Sequence, residues 1–274
     1  MTNQISIITG AGSGIGRALA LEQSRRNITV VATDINGAEA AKTAEACGSG
    51  AWSLALDVRD RHQVDALVKQ VLDNHRRIDY LFNNAGIGVG GETFEIGHEH
   101  WDRILDINVK GVINGVLAVY PVMVKQGHGH IINTASLAGL GPAPLLAPYA
   151  MTKHAVVGLS NSLRIEAKKY GVKVSVLCPA AIETPLLDSM NQSDLPQIPW
   201  SPDIRRFLTN LAGPPYPVEK FASDALAGIA KDKAVIVIPG RARLAWRLGR
   251  LFPSLVEKMS GIFVEVERKD RPVA

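Results

Sequence analysis

The sequence has only two cysteines among its 274 residues, Cys47 and Cys178. Two cysteines cannot build a disulfide framework, so both are expected to be small buried hydrophobic side chains in a reducing compartment. The N-terminal stretch MTNQISIITGAG has no basic segment followed by an apolar one, so no signal peptide is expected. No uninterrupted apolar run approaches the roughly 20 residues that a spanning helix needs. These absences predict a soluble, cytoplasmic protein.

Internal repeats, low-complexity segments and a general excess of charge are also lacking. The formal charge of +4 comes from residues 240–274, which hold eight basic and four acidic side chains. Because the rest of the chain is neutral, a nucleic-acid partner is not expected. Hydrophobic residues make up 46% and charged residues 20%. These values and the length fit one large α/β domain, or at most two small ones.

Short β-branched apolar runs alternate with helical patterns along the chain. The runs are QISIIT, NITVVAT, AWSLAL, IDYLF, HIINTA, VKVSVL and AVIVI. The helical patterns fall around 14–26, 37–46, 60–75, 97–125 and 149–170. Strands that are apolar on both faces and alternate with helices are typical of a parallel sheet covered on both sides. The pattern predicts an α/β fold with a single doubly wound parallel sheet of about seven strands.

Two regions depart from this alternation. Residues 179–217 hold eight of the fifteen prolines and little periodicity, so a lid over a site is predicted at about 180–217. Residues 241–274 read as a basic amphipathic C-terminal extension to a main domain of residues 1–240. Pro253 is expected to break this extension into two short helices. Leucines share one helical stripe and arginines the neighbouring stripe: Leu244, Leu248, Leu251 and Leu255, beside Arg243, Arg247 and Arg250.

Polar, turn-forming or Gly-rich residues end six consecutive predicted strands. In strand order they are TGAGSGIG (9–16), Asp34, Asp57, NNAG (83–86), Ser136 and Pro179. Ligands of open parallel sheets bind outside the carboxyl ends of the strands. Since solubility alone does not require polar residues at every strand end, the pattern predicts a ligand site along this edge.

The first of these strand ends has the spacing of a dinucleotide-binding loop. Gly10, Gly14 and Gly16 let the backbone turn tightly and approach a pyrophosphate at the N-terminus of the next helix. A Gly-rich turn without a ligand is the alternative, but the acid at the end of the second strand favours a dinucleotide. That acid, Asp34, can accept hydrogen bonds from the adenosine ribose and repels a 2′-phosphate, so NAD is favoured over NADP. Asp34 could also simply cap the following helix.

Tyr149 and Lys153 lie one helical turn apart, so both side chains are expected on one helix face. A free tyrosine has a pKa near 10, and a nearby cation favours its phenolate form. The same spacing occurs on many solvated helices, where it has no function. Ser136 favours a functional pair, because it ends the fifth strand just before the loop that leads into this helix.

Taken together, these motifs resemble those of the short-chain dehydrogenase/reductase family, in its compact single-domain subgroup with a Rossmann-like fold. The resemblance covers roughly residues 4–240. It rests on TGAGSGIG (9–16), Asp34, Asp57-Val58, NNAG (83–86), DINVKG around Asn108, Ser136, and Tyr149-Ala-Met-Thr-Lys153. The chain departs from the family after the sixth strand, where Pro179-Ala180 stands in place of Pro-Gly.

The resemblance implies that residues 1–240 form a dinucleotide-binding catalytic domain. In it Tyr149 is the general acid/base, Ser136 orients the substrate oxygen, and Lys153 lowers the pKa of Tyr149 and holds the nicotinamide ribose. Asn108 maintains a water relay from Lys153. The implied cofactor contacts are Gly10, Ser13, Gly14, Ile15, Gly16, Asp34, Asp57, Val58, Asn84, Ala85, Gly86, Tyr149, Lys153, Pro179, Ile182 and Thr184. No metal is implied.

The candidate substrate contacts other than Ser136 and Tyr149 are apolar: Leu137, Leu146, Leu187 and Met190, with Leu140, Leu145 and Trp200 also near the predicted site. No Arg or Lys stands beside the catalytic group on that loop. The expected function is therefore an NAD(H)-dependent interconversion of an apolar secondary alcohol and its ketone. An NADP-dependent carbonyl reductase and a non-catalytic NAD-binding scaffold remain as alternatives. Family resemblance implies a homodimer or homotetramer. The extension could contact a membrane surface, another subunit or the pocket wall.

Overall fold

The computed structural model describes residues 4–271, the side chains of residues 211 and 212 excepted. Its strands are β1 (Ile5–Thr9), β2 (Thr29–Asp34), β3 (Trp52–Ala55), β4 (Tyr80–Asn83), β5 (Gly129–Thr134), β6 (Val172–Pro179) and β7 (Val235–Ile238). Its α-helices are α1 (Gly14–Ser24), α2 (Gly37–Cys47), α3 (Arg61–His75), α4 (His98–Leu105), α5 (Gly111–Gln126), α6 (Ala147–Ala167), α7 (Ile204–Ala212), α8 (Val218–Ala230), α9 (Gly240–Leu251) and α10 (Pro253–Arg268).

The seven strands form one parallel sheet in the order β3-β2-β1-β4-β5-β6-β7. This confirms the prediction of a doubly wound sheet of about seven strands. The chain order reverses between β1 and β4, and a crevice opens at such a reversal beyond the carboxyl ends of the strands.

Successive residues of the central strands enter opposite cores. Ile7 and Ile131 pack on one face of the sheet, whereas Ile8 and Ile132 pack on the other. This period of two places an apolar layer under the helices on each face. It explains why the strands read as continuous apolar runs. Both cysteines are free thiols; Cys178 is fully buried and Cys47 only partly so.

Helices α4 and α5 form one continuous helical segment, as the pattern at 97–125 predicted. A π-helical turn at Asp106–Lys110 joins them. By length and composition the segment His98–Gln126 could also cross a membrane. Val112, Val116, Val119 and Met123 on this helical segment belong to a core beneath the sheet. This helical segment therefore packs against the sheet as one of the helices of the α/β fold.

The proline-rich region holds a helix that the sequence did not predict. Asp203 caps α7 by accepting a hydrogen bond from the Arg206 amide (2.8 Å). The prolines lie before and after α7, so the predicted lid is a folded segment rather than a long loop. Helix α8 was also missed. The break of the extension at Pro253 is confirmed, since α9 ends at Leu251 and α10 starts at Pro253.

Candidate active site

A cleft of about 410 Å³ opens at the reversal between β1 and β4. It runs from the loop after β1, past the ends of β4 and β5, to the segment that follows β6. Every implied cofactor contact except Gly16 lines it, and so do Ser136, Tyr149, Leu137, Leu146, Leu187 and Met190 of the predicted substrate site. Asn108, Leu140, Leu145 and Trp200 do not line it. Among the described residues that line it, Asp34, Asp57 and Lys153 are the charged ones.

The loop between β1 and α1 admits no side chain at its key glycines. Gly10 has φ +65°, and a Cβ on it would lie 2.7 Å from the Ala85 Cα. A Cβ on Gly16 would lie 2.0 Å from the Gly10 carbonyl oxygen. Gly16 is therefore needed for packing behind the loop, while Gly10, Ser13, Gly14 and Ile15 line the cleft. A loop of this shape at the N-terminus of α1 fits a pyrophosphate.

Asp34 lies at the end of β2, against this loop. Its Oδ2 accepts a hydrogen bond from the Gly12 amide (2.9 Å), and its Oδ1 accepts one from the Asn36 amide (2.9 Å). Each carboxylate oxygen retains further acceptor capacity, so a ribose hydroxyl can still donate to Asp34. The helix cap considered as an alternative is instead Asn36, whose side chain accepts from the Glu39 amide.

The ends of β1 and β4 are joined by hydrogen bonds. The Thr9 hydroxyl oxygen accepts from the amides of Asn84 (3.0 Å) and Ala85 (3.1 Å), and the Asn84 side chain donates to the Thr9 carbonyl (3.1 Å). These bonds hold the cleft floor, where Gly86 also lies. Val58 and Asp57 line the cleft after β3, but the Asp57 carboxylate is engaged by the Arg59 guanidinium, which lowers its pKa.

Ser136, Tyr149 and Lys153 converge in the cleft, as the motifs predicted. The Lys153 ammonium lies 5.4 Å from the centre of the Tyr149 ring and donates to the Thr134 carbonyl (3.0 Å). Ser136 follows β5, and its hydroxyl accepts from the Ala138 amide (3.2 Å). Burial raises the pKa of Tyr149, and a hydrogen bond with Ser136 lowers it by a smaller amount.

The pKa of Tyr149 differs in direction from the expectation. Burial raises it above 10, and the hydrogen bond with Ser136 offsets only part of that increase. Burial also lowers the pKa of Lys153 to about 8. In the protein alone, the neutral phenol is therefore strongly favoured at neutral pH, and the ammonium loses its proton far more easily than a surface lysine.

Asn108 does not line the cleft but lies directly behind it, in the π-helical turn. Its side chain accepts from the Ile87 amide (2.9 Å) and donates to the Ile87 carbonyl (3.0 Å) and the Thr152 hydroxyl (3.1 Å). Thr152 in turn donates to the Tyr149 carbonyl (2.8 Å). Asn108 thus ties the loop after β4 to α6, the helix that carries Tyr149.

The segment after β6 forms the opposite side of the cleft. Pro179, Ile182, Thr184, Leu187 and Met190 line it, and Ala180 does so where the family pattern has glycine. The Asn191 side chain fastens this segment to the loop after β4. It accepts from the Gly90 amide and donates to the Gly90 carbonyl, both at 2.9 Å.

Helix α7 supplies two cleft residues that the sequence prediction missed, Phe207 and Leu208. The signal was present: Asp203 is a good N-cap, and Ile204, Phe207 and Leu208 have helical spacing. Of the other candidates, Leu137 and Leu146 line the cleft. Leu145 and Trp200 instead pack around Phe207, and Leu140 packs on the main core.

The C-terminal extension packs behind this wall. Val264 and Phe263 of α10 contact the cluster around Phe207. Glu267, which is only 2% exposed, accepts from the Asp203 amide (3.0 Å) and from the Arg206 guanidinium (2.8 Å). Arg268 binds Glu92 on the segment after β4 (2.6 Å). Helix α10 therefore joins α7 to that segment, a role that agrees with the pocket-wall alternative.

Comparison with known proteins agrees with this geometry. A family model for short chain dehydrogenases matches residues 4–195. Levodione reductase of Leifsonia aquatica is 36% identical over 200 residues, covering 70% of this chain and 75% of that protein. The (2S)-[(R)-hydroxy(phenyl)methyl]succinyl-CoA dehydrogenase subunit BbsD of Thauera aromatica is 32% identical over 249 residues, covering 89% and 98%.

Solved structures give the same result. A short chain dehydrogenase/reductase from Burkholderia phymatum in complex with NAD has a TM-score of 0.82 and 30% identity, covering 92% of this chain and 95% of that one. The crystal structure of levodione reductase has a TM-score of 0.77 and 31% identity, covering 88% and 97%. With the Gly-rich loop, the Ser-Tyr-Lys group and the seven-stranded sheet, these matches show that the chain belongs to the short-chain dehydrogenase family of oxidoreductases, which bind nicotinamide cofactors.

Proposed function

We propose that this protein is an NAD(H)-dependent oxidoreductase that interconverts an apolar secondary alcohol and its ketone. The observation that carries the proposal is the convergence of Ser136, Tyr149 and Lys153 in the cleft that begins at the Gly-rich loop and Asp34. A non-catalytic NAD-binding scaffold has no need of these three side chains at one point.

The residues present fit a dinucleotide. The Gly10–Gly14 turn accommodates the pyrophosphate, Asp34 accepts hydrogen bonds from the adenosine ribose, and Lys153 reaches the nicotinamide ribose. Bound NAD supplies a hydride acceptor, and NADH supplies a hydride donor. NAD is preferred over NADP because the Asp34 carboxylate repels a 2′-phosphate, and no Lys or Arg other than Lys153 lines the described cleft.

Tyr149 exchanges the proton with the substrate oxygen. In ketone reduction its hydroxyl donates a proton to the carbonyl oxygen; in alcohol oxidation the phenolate takes the hydroxyl proton. The Ser136 hydroxyl donates to the same substrate oxygen and orients it. Because burial raises the pKa of Tyr149 in the protein alone, proton donation is favoured at neutral pH. Lys153, whose pKa is about 8, lies 5.4 Å from the centre of the Tyr149 ring and is the nearby cation that would stabilise the phenolate.

The substrate end of the cleft supports an apolar substrate. Its lining includes Leu137, Leu146, Leu187, Met190 and Phe207. An anionic substrate group in this part would lack an arginine or lysine partner among the described cleft residues.

The test is to follow nicotinamide absorbance with NAD or NADP across a panel of secondary alcohols and ketones. Apolar substrates should turn over with NAD, and Tyr149→Phe should lose at least 10²-fold in kcat while still binding NAD. The Phe variant retains the ring and its packing. Unchanged turnover in that variant would refute the mechanism, and tight NAD binding with no turnover of any substrate would favour a scaffold. Turnover of polyols or acyl-carrier thioesters alone would contradict the apolar substrate.

We also infer a cytoplasmic homo-oligomer built through the two long helices. Exposed apolar side chains remain on α5 and α6, namely Ile113, Leu117, Met151 and Ile165. The free thiols support a reducing compartment. Light scattering at micromolar concentration should give a dimer or tetramer, and a monomer would contradict the proposal.

A further inference from the structure

The outer surface of the C-terminal extension exposes a large apolar face. Eight of the fifteen exposed large hydrophobic side chains in the described chain lie between residues 244 and 266, and each is 46–70% exposed. They are Leu244, Leu248, Leu251, Phe252, Leu255, Met259, Ile262 and Val266. Below we call these eight the outer face. Scattered exposed leucines are ordinary, but such a concentration on two consecutive helices is typical of an interaction surface.

The outer face is held in a fixed orientation. On α10 its members recur at spacings of three and four residues, so they form one stripe along the helix. Ser260, Val264 and Glu267 lie on a different side of α10 and are buried against the body of the protein. On α9, Ala242 is buried while Leu244, Leu248 and Leu251 point outward. Because the inner side is packed, the outer face cannot turn inward to hide its leucines.

The charges beside the α9 part of the outer face are positive and form no ion pair with described residues. Helix α9 contains Arg243, Arg247 and Arg250 beside its leucines and no acid at all. None of these arginines forms an ion pair with a side chain between residues 4 and 271, and all three are exposed. Lys258 on α10 is likewise exposed and forms no ion pair with a described residue.

The acids of the extension do not neutralise this positive charge. Glu267 and Asp270 bind Arg206, and Glu265 binds Arg268. Among the described acids of the extension, only Glu257 has no ion-pair partner in the described chain. The result is an exposed apolar face whose α9 part is bordered by three arginines that form no ion pair with described residues.

The apolar outer face and the arginines beside it together indicate which kind of partner binds this surface. A second copy of the chain would bring its own arginines towards these arginines in a two-fold contact, and the apolar surfaces of α5 and α6 already offer an interface. A nucleic acid would pair with the arginines but would leave the leucines in water. A bilayer with anionic headgroups satisfies both, since leucines enter the acyl boundary and arginines meet lipid phosphates.

We propose that α9 and α10 lie on the surface of an anionic lipid bilayer, with the outer face inserted and Arg243, Arg247 and Arg250 at the headgroups. The inference does not depend on the proposed reaction, because it rests only on the surface of the extension. It implies a peripheral contact and leaves the helices of the sheet layer away from lipid.

The test is co-sedimentation of the full-length protein with phosphatidylcholine vesicles and with vesicles that also contain phosphatidylglycerol. Binding should be stronger to the anionic vesicles and should weaken as salt is added. Each basic residue near such a surface contributes about fivefold, so reversing Arg243, Arg247 and Arg250 to glutamate should weaken binding by about 10²-fold or more. Leu248→Ser with Leu251→Ser should weaken binding to anionic vesicles even at low salt.

A matched control reverses three exposed cations elsewhere that likewise form no ion pair with described residues, Arg61, Lys173 and Lys231, and should bind as the unchanged protein does. Circular dichroism verifies that each variant is folded, and the milder triple change of the α9 arginines to glutamine serves if the glutamate variant is not. Equal loss in the control, equal binding to both vesicle types, or no sedimentation would overturn the proposal. It would also be overturned if the leucine variant changed the oligomeric state in light scattering without changing vesicle binding. Neither readout uses enzyme activity, so failure of the proposed reaction would be seen separately.

Discussion

Replacing Glu267 by glutamine tests whether α10 supports the wall of the cleft. Glu267 is nearly inaccessible to solvent, and its Oε1 accepts from both the Asp203 amide (3.0 Å) and the Arg206 guanidinium (2.8 Å). Asp203 and Arg206 lie at the N-terminus of α7, whose next turn places Phe207 and Leu208 in the cleft. Glutamine preserves the size and one acceptor oxygen but removes the charge.

The size of the stability loss depends on the interactions that Arg206 retains in the Glu267→Gln variant. A hydrogen bond to a charged group contributes about 1.5–3 kcal/mol, and removing a buried partner usually costs more. Arg206 is about half exposed and also pairs with Asp270, so its charge stays solvated and paired after the change. A loss of about 1–2 kcal/mol in the local stability of α7 is therefore expected. Since 1.4 kcal/mol is a factor of ten, amides of residues 204–212 should open about tenfold more often.

Hydrogen exchange followed by mass spectrometry measures this opening. Faster exchange is expected in peptides from α7 and α10, while exchange should stay unchanged in α3, whose buried residues belong to another core cluster. Glu257→Gln is the matched control, because Glu257 lies on the same helix but is exposed and has no ion pair with a described residue. Unchanged exchange in α7, or the same acceleration in α3 and α7, would show that α10 does not support the wall.

Three further outcomes are expected. Asp34→Asn, which removes the charge beside the Gly-rich loop, should raise the KM for NAD about tenfold and improve NADP use; an unchanged preference in initial rates with each cofactor would count against recognition by Asp34. The pKa of Lys153 is about 8, so the ammonium that stabilises the phenolate loses its proton above that pH and kcat/KM should fall with an inflection near pH 8. Lys153→Arg, which stays charged, should lack this inflection. Burial lowers the pKa of His130 from 6.5 to about 4, so the unfolded chain binds more protons between these values. Denaturant titrations should therefore show about 3 kcal/mol of stability gained from pH 4 to pH 6.5, and His130→Gln, which retains a side-chain amide for the Ser175 hydroxyl, should lose most of that gain.

The sheet and the catalytic group were predictable from the sequence because their signals are local. A run such as HIINTA is apolar on both faces and needs no knowledge of its neighbours to read as a buried parallel strand. The Gly-rich loop, Asp34 and Ser136 follow strands that were already identifiable, so the rule for strand ends places them at one edge. Tyr149 and Lys153 are related by a single helical turn.

The walls of the cleft were harder to predict because they depend on contacts between distant parts of the chain. The prolines around residues 196–202 made this region read as a loop, so α7 was not predicted although its N-cap and apolar spacing were present. Glu267 reads as an ordinary acid near a helix end, because its partner Arg206 is 61 residues away. The direction of the Tyr149 pKa shift likewise depends on burial against residues distant in the chain, such as Ile104 and Ile198, and no local pattern reports that burial.

The link between Glu92 and Arg268 has a consequence for biosynthesis. The two residues are separated by 176 positions, and Glu92 is only 6% exposed once they have paired. At 5–20 residues per second, a ribosome needs roughly 10–35 seconds to make the intervening chain. During that interval Glu92 lacks the guanidinium of Arg268, and α7 lacks the support of α10. The dinucleotide end of the cleft can thus form early in synthesis, whereas its α7 wall is completed only after residue 268 has emerged.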